Sequence, residues 1–137
     1  MPETQNIECK QSWRDEYLKQ ICGFANANGG TIFVGKDDNG KIFGIPDAKP
    51  LLEDIPNKVR DTLGILVDVN LQPAPQGDYI EILVEAYPYP VNYKGQYHYS
   101  SGSTKQGLKG AALDKFLLQK NAKNGMAYPF PKFQQMI

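Results

Sequence analysis

The segment ICGFANANGGTIFVGKDDNGKIFGI, residues 21–45, contains the pattern that decides the fold. Its first part ends an amphipathic helix, and Gly29-Gly30 supplies the backbone freedom for a tight turn. The residues TIFV that follow are β-branched, apolar or aromatic, which favours a buried strand. The pair Asn39-Gly40 then predicts a hairpin turn, with residues 41–45 returning as a second strand. The segment therefore predicts a helix, a tight turn and a β-hairpin in succession.

Periodic patterns on either side of this segment predict the remaining elements. Alternation of polar and apolar residues predicts strands at residues 6–10, 66–71 and 79–85, the last two as an antiparallel pair. Apolar residues at helical spacing predict a helix from Ser12 that leads into the central segment, with Asp15 completing a capping box. Two further helices are predicted, one following Asp47 and one over residues 111–121.

Composition indicates a single globular domain. The chain has 137 residues, of which 41% are hydrophobic and 22% charged, enough for one core. Fifteen basic and fifteen acidic residues give a formal net charge of zero, so any nucleic-acid site must be a local patch. We assign residues 1–121 to this domain. Residues 122–137 are interpreted as an extended tail, rich in aromatic residues and proline, that docks on the domain or on a neighbour.

The cysteines and the hydropathy pattern bear on the cellular location. Cys9 and Cys22 do not form a disulfide framework, and with His98 as the one histidine they do not form a zinc site. We therefore expect free thiols in a reducing cytoplasm. No apolar run approaches the roughly 20 residues that a membrane helix needs, and the first residues lack the features of a signal peptide. A cytoplasmic protein without membrane association is the expectation.

One apparent phosphate-binding motif is rejected on its context. Residues 35–41, GKDDNGK, have the glycine and lysine spacing of a P-loop, but Ile42 replaces the hydroxyl residue that would hold magnesium. A P-loop also requires a helix whose amino terminus meets the phosphates, whereas residues 42–45 resemble a strand. In addition, Asp37 and Asp38 would repel the anion. ATP binding is therefore not predicted.

Several short segments along the chain together resemble a known family. They are Glu3-Thr4, Ile7-Glu8-Cys9-Lys10, Ile21-Cys22-Gly23-Phe24-Ala25-Asn26, Gly29 to Gly35, Asp38-Asn39-Gly40, Gly44-Ile45, and Tyr97 leading to Gly102-Ser103-Thr104. In this order they look like the Schlafen AlbA-like domain, over about residues 3–120. The resemblance implies an α+β fold, here a mixed, mostly antiparallel sheet with about three helices.

The resemblance also implies a function. Relatives with this domain at the amino terminus are described as transcriptional regulators or divergent AAA-type ATPases, and the domain itself as DNA-binding. We therefore expect a nucleic-acid-binding module of a transcriptional regulator, without a cofactor, with DNA favoured over RNA as partner and a homodimer as one assembly. The candidate phosphate contacts are Lys10, Lys36, Lys41 and Lys105. Where many relatives carry an arginine before the Gly-Ser pair, this chain has residues 98–101, HYSS.

Nuclease members of the Schlafen family imply an alternative. They use three carboxylates and a divalent metal, and the matching residues here are Glu3, Glu8 and either Asp37 or Asp38, with Asp37 preferred. Clustered carboxylates bind magnesium or manganese, which can activate water beside a phosphodiester. On this reading the protein would be a metal-dependent ribonuclease. The competing explanation is structural, because Glu8 can pair with Lys10 and residues 37–40 suit a turn without metal.

Other polar residues favour structural roles. Asn26 and Asn28, at a helix end before Gly-Gly, are interpreted as satisfying that terminus or adopting a left-handed turn rather than contacting a ligand. His98 is interpreted as an exposed strand residue, and the tyrosines near it as packing against neighbours rather than stacking on bases. A third function, a dimerisation or interaction domain without catalysis, also fits these features.

Overall fold

The computed structural model describes residues 6–102 and 104–123, which form six strands and three α-helices. In chain order they are β1 (Ile7–Lys10), α1 (Leu18–Asn26), β2 (Gly30–Val34), α2 (Ala48–Leu63), β3 (Asp68–Gln72), β4 (Tyr79–Val84), β5 (His98–Ser101), β6 (Thr104–Gly107) and α3 (Gly110–Lys123), with a short 3-10 turn at Asp15–Tyr17. The predicted α+β fold with three helices is confirmed. Glu3 and all but the first two residues of the predicted tail lie outside the described residues.

The main sheet has four strands in the order β1-β2-β4-β3. β1 runs parallel to β2, whereas β2 and β3 both pair antiparallel with β4, so the sheet is mixed and mostly antiparallel. Alternation along β4 buries Ile80, Ile82 and Val84 on one face, and Ile32 of β2 lies opposite Ile82 on that face. Parallel pairing places Glu8 beside Ile32, so the Glu8 side chain belongs to the same face at the sheet edge.

The hydrophobic core lies between this face of the sheet and the helices α1 and α2. Ile21 and Ala25 of α1 and Ile55 and Val59 of α2 have no exposed surface, and they recur at helical spacing. Burial of a side chain such as Ile55 contributes about 1.5–3 kcal/mol to the free energy of unfolding. The core therefore fixes both helices against the sheet and positions the residues at their ends.

The predicted β-hairpin after β2 does not form as a pair of strands. β2 has β1 on one side and β4 on the other, so no edge remains for residues 41–45. That segment makes one isolated bridge, between Lys36 and Ile42. The turn itself does form: the Gly40 amide donates to the Asp37 carbonyl at 2.9 Å, and Gly40 has a φ of 84°. The Asn-Gly pair thus marks a turn in a loop rather than a hairpin of the sheet.

The two glycines before β2 are required for different reasons. Gly29 adopts a φ of 81°, as the predicted turn requires. Gly30 has no positive φ, but a Cβ there would lie 2.7 Å from the Phe24 ring and 2.8 Å from the Asn6 carbonyl oxygen. The prediction of a left-handed turn is therefore confirmed at Gly29. At Gly30 the constraint is space between α1 and β1.

The start of the first helix also differs from the prediction. Ser12 does not form a capping box; the carboxylate of Asp15 instead accepts hydrogen bonds from Trp13 Nε1 at 2.8 Å and Lys58 Nζ at 2.7 Å. The bond from Lys58, followed by that from Trp13, lowers the pKa of Asp15. The exposed ion pair links the segment before α1 to α2. The helix proper begins at Leu18, after a 3-10 turn.

The strands β5 and β6 form a separate two-stranded antiparallel sheet that packs against α1. The approach is close, because a Cβ built on Gly23 of α1 would lie 2.3 Å from the hydroxyl oxygen of Ser100 in β5. Tyr97 and Tyr99 contact the Phe116 ring of α3, with ring centroids 6.4 and 6.2 Å apart. The interpretation of these tyrosines as packing residues is thus confirmed, although their partner is a helix.

Candidate nucleic-acid interface

The carboxylate of Glu8 lies between two lysines that come from different parts of the fold. Lys105 Nζ, from β6, forms an ion pair with Glu8 Oε2, and Lys10 Nζ, from β1, lies 3.8 Å from Glu8 Oε1. The side chain of Glu8 is 18% exposed and that of Lys105 is 46% exposed. Two ammonium groups around one carboxylate leave an excess positive charge at the surface. Two of the four predicted phosphate contacts are therefore brought together.

A third lysine extends this positive region through a cavity between α1 and the β5–β6 hairpin. The cavity has a volume of about 180 Å³, and Lys105 and Lys19 both line it. Lys19 is exposed and has no ion-pair partner within the described ranges. We call Lys10, Lys19 and Lys105 the lysine cluster. The other residues that line the cavity are Gln20, His98, Ser100, Gln106 and Gly107.

The other two predicted phosphate contacts, Lys36 and Lys41, lie beside aromatic rings. Lys36 Nζ is 3.7 Å from the centroid of the Phe33 ring and 4.7 Å from that of Tyr79, as in a cation–π contact. Phe33 alternates with the buried Val34, so this contact is on the face of the sheet opposite to Glu8. Lys41 lies in the loop, 5.3 Å from the Phe43 ring centroid. Lys36 nevertheless lines one cavity together with Glu8, so the predicted lysines surround Glu8 from both faces of the sheet rather than forming one flat surface.

The predicted metal ligands can be followed only in part. Glu3 lies outside the described residues. Asp37 Oδ1 accepts hydrogen bonds from the backbone amides of Asn39 at 2.9 Å and Lys41 at 2.8 Å, which is turn chemistry. Asp38, rather than Asp37, lines a cavity of about 460 Å³ together with Glu8. Among the described residues no three metal-ligating side chains converge, so the three-carboxylate site stays a prediction.

The same cavity contains the thiol of Cys9. Burial, only partly offset by the charge of Lys36, raises the pKa of this thiol. A raised pKa keeps Cys9 protonated near neutral pH and makes it a weak nucleophile. Cys9 and Cys22 are both free thiols, as expected from the sequence.

Asn26 acts as a structural link between α1 and the β5 region. Its Nδ2 donates to the carbonyl oxygens of Val91 at 2.7 Å and His98 at 2.8 Å, and its Oδ1 accepts from the Val91 amide at 2.8 Å. Asn26 is 1% exposed, so these bonds satisfy a polar side chain that cannot reach water. Asn28 Nδ2 donates to Ser101 Oγ at 3.3 Å. Both asparagines have structural contacts, but these join α1 to the β5 region, and neither residue satisfies the helix terminus or adopts the left-handed turn that was predicted.

Sequence reasoning missed three residues of the candidate site: Lys19, Gln20 and His98. The interpretation of His98 as exposed is wrong, because it is half-buried and its Nε2 is enclosed. Burial, followed by the charge of Lys19, lowers the pKa of His98, so its imidazole is neutral at pH 7. Lys19-Gln20 adjoins the apolar stripe of a predicted helix. That position indicates a solvent-facing or boundary residue, but not which strand will pack beside it.

The sequence profile of the family described as Schlafen, AlbA_2 matches residues 3–109. The chain belongs to this family. The match spans β1 to β6 and ends just before α3. The Schlafen AlbA_2 assignment therefore includes every strand of the described structure and the elements that carry the lysine cluster.

Two solved structures are similar to this Schlafen AlbA_2 chain. The crystal structure of the DIP2311 protein from Corynebacterium diphtheriae has a TM-score of 0.61 and 18% sequence identity, with 79% of this chain and 26% of that chain covered. The chain thus spans about a quarter of that protein. The solution NMR structure of the N-terminal domain of a RecG-related protein from Nitrosomonas europaea, a candidate ATP-dependent DNA helicase, has a TM-score of 0.55 and 18% identity. Here 81% of this chain and 88% of that domain are covered.

At these identities the two structures show a shared fold. No curated protein matches the chain. Within the described part of the Schlafen AlbA_2 chain, no helix has the length and apolar character needed to cross a membrane.

Proposed function

We propose that this domain is a nucleic-acid-binding module, with DNA favoured over RNA. The observation that carries the proposal is the convergence of Lys10 and Lys105 on Glu8. Phosphate contacts in such modules come mostly from lysine and arginine, and they supply most of the non-specific affinity. A chain with zero net charge needs a local concentration of ammonium groups to attract a polyanion. The lysine cluster is such a concentration.

The fold shared with a helicase-related protein supports the same function. The RecG-related protein is a candidate DNA helicase, and the domain similar to this chain lies at its N-terminus. An N-terminal module of that kind would hold nucleic acid for the rest of a longer protein. We extend this to the finer proposal that the domain works within a transcriptional regulator in the cytoplasm, without a cofactor of its own.

The partners of the acidic residues support nucleic-acid binding better than nucleic-acid cleavage. A carboxylate that ligates a metal must offer its oxygens, yet Glu8 is paired with two ammonium groups and Asp37 accepts two backbone amides. Both carboxylates thus have partners that would compete with a metal. The metal-dependent ribonuclease remains the alternative, and it depends on Glu3.

The test is the salt dependence of binding. Fluorescence anisotropy of a labelled DNA duplex, a DNA single strand and an RNA single strand should give a dissociation constant that rises steeply with salt. For two to three phosphate contacts on duplex DNA, log K should fall against log salt with a slope of about −2 to −3. An affinity independent of salt, or absent for all three ligands at low salt, would refute the proposal.

A further inference from the structure

The cavity between α1 and the β5–β6 hairpin combines positive charge with polar side chains that have unpartnered nitrogen atoms. Lys19 and Lys105 line it, and no carboxylate among the described residues does. The nitrogen atoms Gln20 Nε2 and His98 Nε2 are enclosed, and neither has a hydrogen-bond partner within the described structure. Unpaired buried donors are uncommon in folded proteins, and each one calls for an explanation. Rotation of the two side chains toward an anion held in this cavity would supply a partner for each.

We propose, on the basis of the proposed nucleic-acid binding, that this cavity holds one phosphate group of the bound backbone. Lys19 and Lys105 would supply the charge, while Gln20 and His98 would donate hydrogen bonds to the non-bridging oxygens. The cavity, at about 180 Å³, has room for one phosphate group with its neighbouring ester oxygens. One phosphate group would thus be held at a defined position, whereas Lys10 would attract the backbone without fixing a particular phosphate.

The two neutral donors can reach the cavity with little rearrangement. The last side-chain torsions of glutamine and histidine are broad, so a rotation about that bond reorients the amide or the imidazole at small cost. Both side chains already line the cavity and are half-buried. The ring atoms Nδ1 and Cε1 of His98 face Gly107, where a Cβ would lie 3.8 and 3.9 Å away. The absence of a side chain at Gly107 leaves room on that side of the ring.

Lys19 and Lys105 also differ in how freely their side chains can move before a ligand binds. Lys105 is held by Glu8, whereas Lys19 lies exposed on the other side of the cavity. A phosphate entering between them would meet one positioned ammonium group and one that can move toward it. Loss of Lys19 should therefore remove one phosphate contact without disturbing the ion pair of Glu8.

The histidine provides a specific probe, because His98 is the one histidine in the chain. We would follow its imidazole signals by NMR while adding a short DNA duplex, and in a separate arm inorganic phosphate. Binding constants and salt slopes would be measured by anisotropy for Lys19→Gln, Gln20→Leu and the matched control Lys49→Gln. Lys49 is an exposed lysine in the first turn of α2. Melting curves confirm that each variant is folded.

The proposal predicts that duplex shifts the His98 signals in a saturable way. Lys19→Gln should weaken binding several-fold and reduce the salt slope by about 1. Gln20→Leu should weaken binding about tenfold while leaving the slope unchanged, because a donor to a charged group is lost but no charge. Lys49→Gln should change neither.

Three results would overturn the proposal, and they separate it from the proposed function. If duplex binds but the His98 signals do not move and Lys19→Gln behaves like Lys49→Gln, the phosphate site is wrong and nucleic-acid binding stands. If phosphate moves the His98 signals but no duplex binds, the cavity is a free-anion site and the proposed function fails. If neither ligand has an effect, both are wrong.

Discussion

Glu8 and Lys105, from the first and the last strand of the domain, form an ion pair at the edge of the main sheet. The same carboxylate lies 3.8 Å from Lys10, so one acid partly neutralises two candidate phosphate contacts. Because the Lys105 side chain is 46% exposed, solvent screens this ion pair and its contribution to stability is small, about 0–1 kcal/mol. The larger effect of the ion pair is on the charge that an approaching polyanion meets.

Replacing Glu8 by glutamine should therefore increase the affinity for nucleic acid. Glu8→Gln removes the negative charge and releases both lysines, so we expect DNA to bind several-fold more tightly at low salt. The measurement is anisotropy of a labelled duplex. Incubation with structured RNA and manganese tests the alternative in parallel, because a nuclease would lose its cleavage in this variant. RNA cleavage by the parent protein that Glu8→Gln abolishes would make Glu8 catalytic.

Gly30→Val should destabilise the fold by more than the roughly 1 kcal/mol typical of point changes. The reason is the space between α1 and β1, since a Cβ would lie 2.7 Å from the Phe24 ring. Gly107→Val is the matched control, because Gly107 is also a strand glycine but its nearest atom, in His98, is 3.8 Å away. Urea unfolding of both variants provides the comparison. Equal midpoints would show that the Gly30 contact does not constrain the fold.

Asn26→Asp should destabilise far more than the same change two residues later. An aspartate at position 26 cannot donate to the carbonyls of Val91 and His98, and its charge would be buried against them. We expect a loss of about 3 kcal/mol or more in the free energy of unfolding. Asn28 is exposed and has one bond at 3.3 Å, so Asn28→Asp should cost less than about 0.5 kcal/mol. Similar melting temperatures for the two variants would contradict the role assigned to Asn26.

The stability of the protein should fall as the pH drops below about 7, because of His98. Burial, followed by Lys19, lowers the pKa of His98 below its ordinary value of 6.5 in the folded state. The unfolded chain therefore binds a proton first as the pH falls, which favours unfolding, and above pH 7 the effect vanishes. Asp15, whose pKa is lowered from 3.8, acts in a more acidic window. The free energy of unfolding as a function of pH, compared with His98→Gln, measures the effect; an unchanged slope in the variant would contradict it.

The sequence was sufficient for the elements whose apolar period is strong. Alternation along β4 and helical spacing in α2 both predicted the observed elements, because burial of one face is decided locally. The prediction of a hairpin with residues 41–45 was wrong, because a new strand can pair only with a strand that has a free edge. β2 has none. Such competition between partners is not visible in a local pattern.

The candidate site was predictable only where residues are close in sequence. Glu8 and Lys10 share a strand face, and their proximity followed from the period of two. The position of Lys105 beside Glu8 depends on how the β5–β6 hairpin packs, through β5, against α1, which no local pattern encodes. Lys19 and His98 were missed for the same reason, since a cavity between a helix and a hairpin exists only after both are placed.

Nucleic-acid binding by this surface depends most directly on the lysine pair around Glu8. The double variant Lys10→Gln/Lys105→Gln and the control Lys49→Gln/Lys115→Gln remove the same charge, the control from exposed positions on α2 and α3. Both variants would be titrated with a labelled DNA duplex at several salt concentrations. We predict that Lys10→Gln/Lys105→Gln binds at least about tenfold more weakly than the parent, with a salt slope reduced by about 2. The control should bind as the parent does. Equal weakening in the two double variants, or no change in either, would contradict the proposal that this surface binds nucleic acid.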